Sequence, residues 1–179
     1  MIHFNFINDT IDAPDCWEDV TVEMFCNPYF LTRDAVGMLS VLTGIEKHVL
    51  MNTKEDLEEP LMKMIKFIAD NPMGYKKALP KTIKVNDITC KIPKDIELER
   101  LGQKIMLQAV MGKHTYVYEG IPEAVAIYII PELNKGEFDD SMIEDVTDQI
   151  KKLRIVDVYP VADFFLNKYK AIIKNGTAS

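Results

Sequence analysis

Few of the residues that usually carry chemistry occur in this chain. Its 179 residues include three cysteines, three histidines, three serines and one tryptophan. Cys16, Cys26 and Cys90 are odd in number and show no C-x-x-C spacing. That argues against a disulfide scaffold and for a reducing compartment. His3, His48 and His114 are far apart, no H-x-x-x-H or H-E-x-x-H occurs, and residues 137–148 lack the alternating acids and central glycine of an EF-hand loop. No metal is expected. The eight glycines form neither a G-x-x-x-x-G-K-[ST] loop nor a G-x-G-x-x-G loop, and G-x-S-x-G is missing. Cys26 or Cys90 could in principle meet His114 as a nucleophile and base. The preferred reading makes Cys90 a small inward-facing hydrophobe. No catalytic residue and no cofactor are expected.

Long apolar runs are missing too. The longest, Ala124 to Ile130, has seven residues, against the roughly 20 that a membrane-spanning helix needs. Met1-Ile2-His3-Phe4 is not a basic segment leading into an apolar one, so no signal peptide and no membrane span are expected. Positive charge is in short supply: 21 Lys and Arg face 28 Asp and Glu, a net charge of −7. The sign argues against binding nucleic acid through overall charge, and no sequence-specific nucleic acid partner is expected.

What is present is an ordinary globular composition, 47% hydrophobic and 27% charged, with length enough for a sizeable core. The pattern predicts a helix-dominated α+β fold, a single unit over 1–179 with two β-hairpins, one N-terminal and one central. The only candidate boundary lies near 71–80. His3 to Ile7 alternates and Asn8-Asp9-Thr10 supplies turn chemistry, which predicts a hairpin ending at Pro14. Asp15 and Thr21 are candidate N-caps around Trp17, the expected anchor of this segment. A helix from Val22 to Asn27 should stop at Pro28, and a second, Arg33 to Thr43, should follow Thr32 and end at Gly44. Thr53 to Asp56 resembles a capping arrangement, and Glu55, Asp56, Glu58 and Glu59 should coat a first helical turn. Pro60 then opens a helix whose apolar face is Leu61, Met64, Ile65 and Ile68, closed by Asn71-Pro72-Met73-Gly74.

The strongest local signal is Lys81 to Ile92. With Asn86-Asp87 as a two-residue turn, Val85 pairs with Ile88 and Ile83 with Cys90 on one face. Thr82, Lys84, Thr89 and Lys91 fall on the other. Leu98, Leu101, Ile105 and Ala109 then predict an apolar helical stripe ending near Gly112. Gly102, inside that helix, predicts close packing of another segment, since a helical glycine otherwise costs about 1 kcal/mol against alanine. Tyr116-Val117-Tyr118 reads as a short strand or an aromatic loop. Pro122 opens an apolar helix, Glu123 to Asn134, central in the core, which Pro131 should kink or end. Ser141 to Glu144 reads as a capping box before a helix carried by Ile143, Val146, Ile150 and Leu153. Pro160 starts the last helix, with Val161, Phe164, Phe165, Tyr169 and Ile172 inward, and Asn175 to Ser179 should fray. Ten methionines at helical spacings, Met64 and Met106 among them, read as core or as adaptable packing surface.

The charges are unevenly spread. Residues 76–94 hold Lys76, Lys77, Lys81, Lys84, Lys91 and Lys94 against Asp87 alone, a local balance of +5. Residues 119–148 hold nine acids against Lys135, a balance of −8. A charged hairpin can merely guard an edge against aggregation. The alternative is a contact surface in which Lys81, Lys84, Lys91 and Lys94 meet Glu137, Asp139, Asp140 and Asp145 of a neighbour, as in a head-to-tail ring.

The order of elements carries a resemblance. A hairpin leads through Pro14-Asp15-Cys16-Trp17-Glu18-Asp19-Val20-Thr21-Val22-Glu23 into helix, then Leu39-Ser40-Val41-Leu42-Thr43-Gly44, the hairpin Leu79 to Ile92, Leu101-Gly102-Gln103-Lys104-Ile105 and Pro160-Val161-Ala162-Asp163-Phe164-Phe165. Over most of its length the chain resembles small virion and tail-assembly proteins of tailed, crAss-like phages that infect Bacteroides. The resemblance implies a non-enzymatic structural role in the virion, as a tail- or portal-associated ring or a packaged cargo protein. It implies other virion or tail proteins as partners, with a homo-oligomeric ring as one form, and assembly in the host cytoplasm. A non-virion tail-assembly chaperone is the alternative, and a small enzyme with an unrecognised site the third.

Overall fold

The computed structural model describes residues 1–54, 57–69, 78–92 and 101–176. Among the described residues helices predominate, with two separate two-stranded antiparallel sheets, which is the helix-dominated α+β class with two hairpins. The chain divides into two units: Met1–Lys76 with Arg154–Val156, and Lys77–Leu153 with Asp157–Ser179.

The first unit opens with strands β1 (Ile2–Phe6) and β2 (Asp9–Ala13). Phe6 pairs with Asp9, so the turn is Ile7-Asn8, one residue earlier than the Asn8-Asp9-Thr10 chemistry suggests. Burial decides this register: Phe6 packs inward against Ile45 and Leu57, and its alternation with Ile2 fixes where the chain must reverse. Ile7 is left in the left-handed region at φ 57°. Trp17 is buried and meets Phe25, Phe30 and Phe67 edge-on at 6.0, 6.5 and 5.5 Å. These rings come from α1 (Val22–Phe25), α2 (Pro28–Leu31) and α5 (Glu58–Ala69).

Thr21 caps α1 as expected, accepting from the Met24 N–H at 3.2 Å. Asp15 does not cap; it holds the Met1 ammonium at 2.7 Å, with Asp19 at 2.9 Å. Pro28 opens α2 rather than only ending α1, because Asn27 caps it and a first-turn proline gives up no helical bond. Thr32 is spent at the end of α2, where its hydroxyl donates to the Pro28 carbonyl at 2.9 Å. Asp34 therefore caps α3 (Ala35–Thr43) in its place, and Gly44 ends it at φ 72°. Tyr29 lies flat against Gly37, so close that a Cβ there would fall 2.8 Å from the Tyr29 Cβ. The Lys47 ammonium sits 4.9 Å over the same ring and pairs with Asp34. Lys47 starts α4 (Lys47–Asn52), a helix the sequence pattern did not announce and which buries no residue fully. In α5, Met64 and Phe67 are buried and Leu61 and Ile68 partly so. Glu55, Asp56, Asn71-Pro72-Met73-Gly74 and residues 71–77 of the candidate boundary lie outside the described residues. Arg154–Val156 completes this unit: Arg154 bridges Thr21, and the Ile155 N–H donates to the Val20 carbonyl at 2.8 Å.

The second unit is built around α7 (Ile121–Leu133), buried from Ile121 to Pro131 except at Glu123. Against it lie α6 (Leu101–Lys113), α8 (Ile143–Lys151) and the second hairpin, β3 (Thr82–Val85) and β4 (Ile88–Lys91). The hairpin register is the expected one, Val85 with Ile88 and Ile83 with Cys90 around Asn86-Asp87. Both turn residues are left-handed, φ 45° and 62°, the geometry that Asn and Asp tolerate. Ile83, Val85 and Cys90 face inward; Ile88 does not, being 49% exposed. Pro131 does not end α7, which runs two residues further.

Four expectations here are corrected. In α6 the buried face is Gln103, Leu107 and Val110, whereas Leu101, Ile105 and Ala109 are exposed and Leu98 lies outside the described residues. Tyr116 to Tyr118 leads into a 3-10 turn, Val117–Gly120, rather than a strand. Ser141 forms no capping box: Asp139 caps a preceding 3-10 turn and takes both the Ser141 N–H, at 3.0 Å, and its hydroxyl, at 2.7 Å. The last helix, α9 (Ile155–Gly176), starts five residues before Pro160 and carries the proline inside it. Its Phe165 is fully buried, 4.7 Å from the Tyr128 ring. Residues 177–179 of the tail lie outside the described residues. The Gly102 expectation holds: a Cβ there would lie 3.1 Å from the Phe138 ring.

Candidate functional site

Apart from Lys76, the singled-out charges belong to the second unit. Lys81, Lys84 and Lys91 are exposed on the hairpin, and Lys94 lies outside the described residues, as do Lys76 and Lys77. Lys84 pairs with Asp87 at 2.8 Å across the turn, which holds that carboxyl below its ordinary value. Lys81 and Lys91 make no ion pair among the described residues. Glu137, Asp139, Asp140 and Asp145 are likewise exposed. Asp139 is occupied as a cap. No ion pair joins the hairpin lysines to these acids among the described residues.

A cleft of about 630 Å³ lies between α6 and the segment Asp140 to Lys151. Helix geometry explains its wall. At 100° per residue, Val146 and Ile150 point into the core, while Ile143, Thr147 and Lys151 form a separate strip flanked by Glu144 and Asp148. That strip, with Asp140, lines one side of the cleft; Met106, Ala109, Val110 and Lys113 of α6 line the other, with Glu123 beside them. Among the described residues, Asp140 alone of the predicted site residues lines it. Asp145 falls on the opposite face of α8, and Glu137 and Asp139 precede the wall. The missed residues had a readable signal: Ile143, Thr147 and Lys151 stand at i, i+4 and i+8.

The cleft is electrostatically mixed. Lys113 pairs with Glu123 at 2.9 Å, and the His114 Nε2 lies 3.4 Å from the other Glu123 oxygen. Burial raises the Glu123 carboxyl, but Lys113 and then His114 outweigh it and hold it below its ordinary value. Lys151 pairs with Asp148 at 2.8 Å and keeps that carboxyl low. Asp140 and Glu144 have no cation among the described residues. The Thr147 hydroxyl, on a residue only 5% exposed, has no hydrogen-bond partner among them. A buried hydroxyl without a partner is costly.

The candidate nucleophile is placed otherwise. Cys90 is 1% exposed on the inner face of the hairpin, and burial, with Glu132 nearby, pushes its thiol up. His114 lies between Glu119 and Glu123. In the first unit, ligand atoms of Asp15, Cys16 and Asp19 lie within 4.8 Å of one another, but the Met1 ammonium occupies both carboxylates. No helix among the described residues is long and apolar enough to cross a membrane.

Fold and surface together define a helix-dominated α+β protein whose second unit bears a basic hairpin, an acidic segment and a charged cleft. No protein family, curated protein or solved structure matches the chain.

Proposed function

We propose that this protein is a non-enzymatic structural component of a tailed-phage virion, a tail- or portal-associated ring or packaged cargo protein that works through protein–protein contacts. The observation that carries the reading is the disposition of charge in the second unit. The exposed lysines of β3–β4 and the acids of residues 137–148 are not spent on one another among the described residues; Lys84 pairs with Asp87 and Asp148 with Lys151, while Lys81, Lys91, Asp140 and Glu144 stay available for neighbours. Such segregated charge steers and orients a partner more than it stabilises a fold. The resemblance to virion and tail-assembly proteins of crAss-like phages supplies the setting.

Mass spectrometry of gradient-purified particles tests it. The expected result is this chain in a fixed copy number per particle. Presence in infected cells but absence from particles would overturn the reading and favour a tail-assembly chaperone.

A further inference from the structure

We propose that the cleft between α6 and α8 receives the β3–β4 hairpin of a second copy of this chain. The inference rests on the reading above, that the protein acts through protein contacts, and names the contact.

The cleft is built like half of an interface. The exposed stripe of Leu101 and Ile105, 71% and 53% exposed, stands two turns and one turn before Ala109 on α6. Ala109, with Met106 beside it, lines the cleft, so an uncovered apolar strip continues into its wall. Apolar surface of this kind, rimmed by charge, marks contact sites. Across from it, the Thr147 hydroxyl is buried and lacks a partner. Its volume, about 630 Å³, is enough for several side chains.

Charge selects the occupant. Lys113 and Lys151 are held by Glu123 and Asp148, which leaves Asp140 and Glu144 as the lining acids without a cation among the described residues. The hairpin offers the complement on its outer face: Lys81 and Lys91 without an acid among the described residues, with Lys84 beside them. Lys84 and Lys91 are diagonal neighbours on the outer face, about 7–8 Å apart at Cα. Asp140 and Glu144, four residues apart, both line this wall of the cleft, so two lysines can face two acids.

The hairpin cannot fill its own cleft. Its inner face, Ile83, Val85 and Cys90, is buried, with β3 against α8 and β4 against α7 of the same unit. The contact is therefore between copies and joins two different surfaces, a head-to-tail arrangement that closes into a ring or extends as a filament.

Sedimentation velocity on the purified full chain tests this, with Asp140→Lys/Glu144→Lys, Lys84→Glu/Lys91→Glu and the combined four-residue swap. All four positions are exposed, and unchanged circular dichroism melts establish that the variants fold. The wild type should self-associate, each double reversal should weaken association at least about tenfold, and the combined swap should restore it. A photo-reactive phenylalanine at Thr89, exposed on the outer face beside Lys84, should cross-link to the Met106 or Ile143 region of another copy. A wild type monomeric at about 100 μM, association indifferent to both reversals, or a cross-link elsewhere would each overturn the contact. A monomeric protein found at fixed copy number in particles would sink this contact and leave the proposed function standing. Intact, swap-restorable association in a protein absent from particles would do the reverse.

Discussion

The side-chain amide of Gln103 donates a 3.0 Å hydrogen bond to the carbonyl of Ile127. That carbonyl stands four residues before Pro131, which has no N–H to return the helical bond. A glutamine from α6 thus supplies the donor that α7 lacks, and it is 5% exposed as a result. Gln103→Leu should cost about 1–3 kcal/mol by leaving a buried carbonyl without a partner. In a Pro131→Ala background, where the helix supplies its own N–H, the same change should cost much less. Urea denaturation of the double-mutant cycle measures the difference; additive effects would show that the two residues are not coupled.

Gly37 is fixed by contact rather than by backbone angle. Tyr29 occupies the space a side chain would need, and the crowding involves the Tyr29 Cβ and inner ring atoms, which cannot swing away. Gly37→Ala should lower stability by about 1–3 kcal/mol despite alanine's better helix propensity. A thermal melt no lower than wild type would contradict this packing.

Ile7 points the opposite way. It is a β-branched residue at φ 57° and is 62% exposed, so it bears strain and gains little burial. Ile7→Asn should stabilise the chain by about 1 kcal/mol, since asparagine accepts the left-handed region. Chemical denaturation reads the sign directly.

Glu123 predicts a pH dependence. Its folded carboxyl lies below its ordinary value of 4.5, so its contribution to stability is present above that value and is lost as pH falls through the folded one. Glu123→Gln should be less stable than wild type near neutral pH, and the gap should begin to close below 4.5. Urea midpoints taken across the acid range test this, and a gap constant with pH would refute it.

The hairpins, the Gly44 stop and the Trp17 anchor were readable because each is decided by neighbours in sequence: alternation, turn residues, a terminal glycine. The 83–90 register followed from two-residue periodicity and a turn of fixed length. The face of α6 was not readable. Leu101, Ile105 and Ala109 fit helical spacing as well as Leu107 and Val110 do, and a glutamine reads as surface until the need of Pro131 for a distant donor is known. The Ser141 box failed for a related reason: Asp139 stands two residues earlier and takes the serine for itself. The cleft stayed hidden because its two walls lie on α6 and α8, about 40 residues apart in sequence. Only Asp140 of the expected contact residues borders it.

The return of residues 154–156 to the first unit bears on synthesis. The Val20 carbonyl accepts from the Ile155 N–H, and Thr21 bridges Arg154. Arg154 and Ile155 leave the ribosome some 80 residues after Lys76, the last of the N-terminal segment of that unit. At about 5–20 residues per second, the nascent first unit waits roughly 4–16 seconds with one edge unfinished. During that interval its unpaired backbone is open to chaperones or to other nascent chains, so elongation speed becomes a determinant of the yield of folded protein.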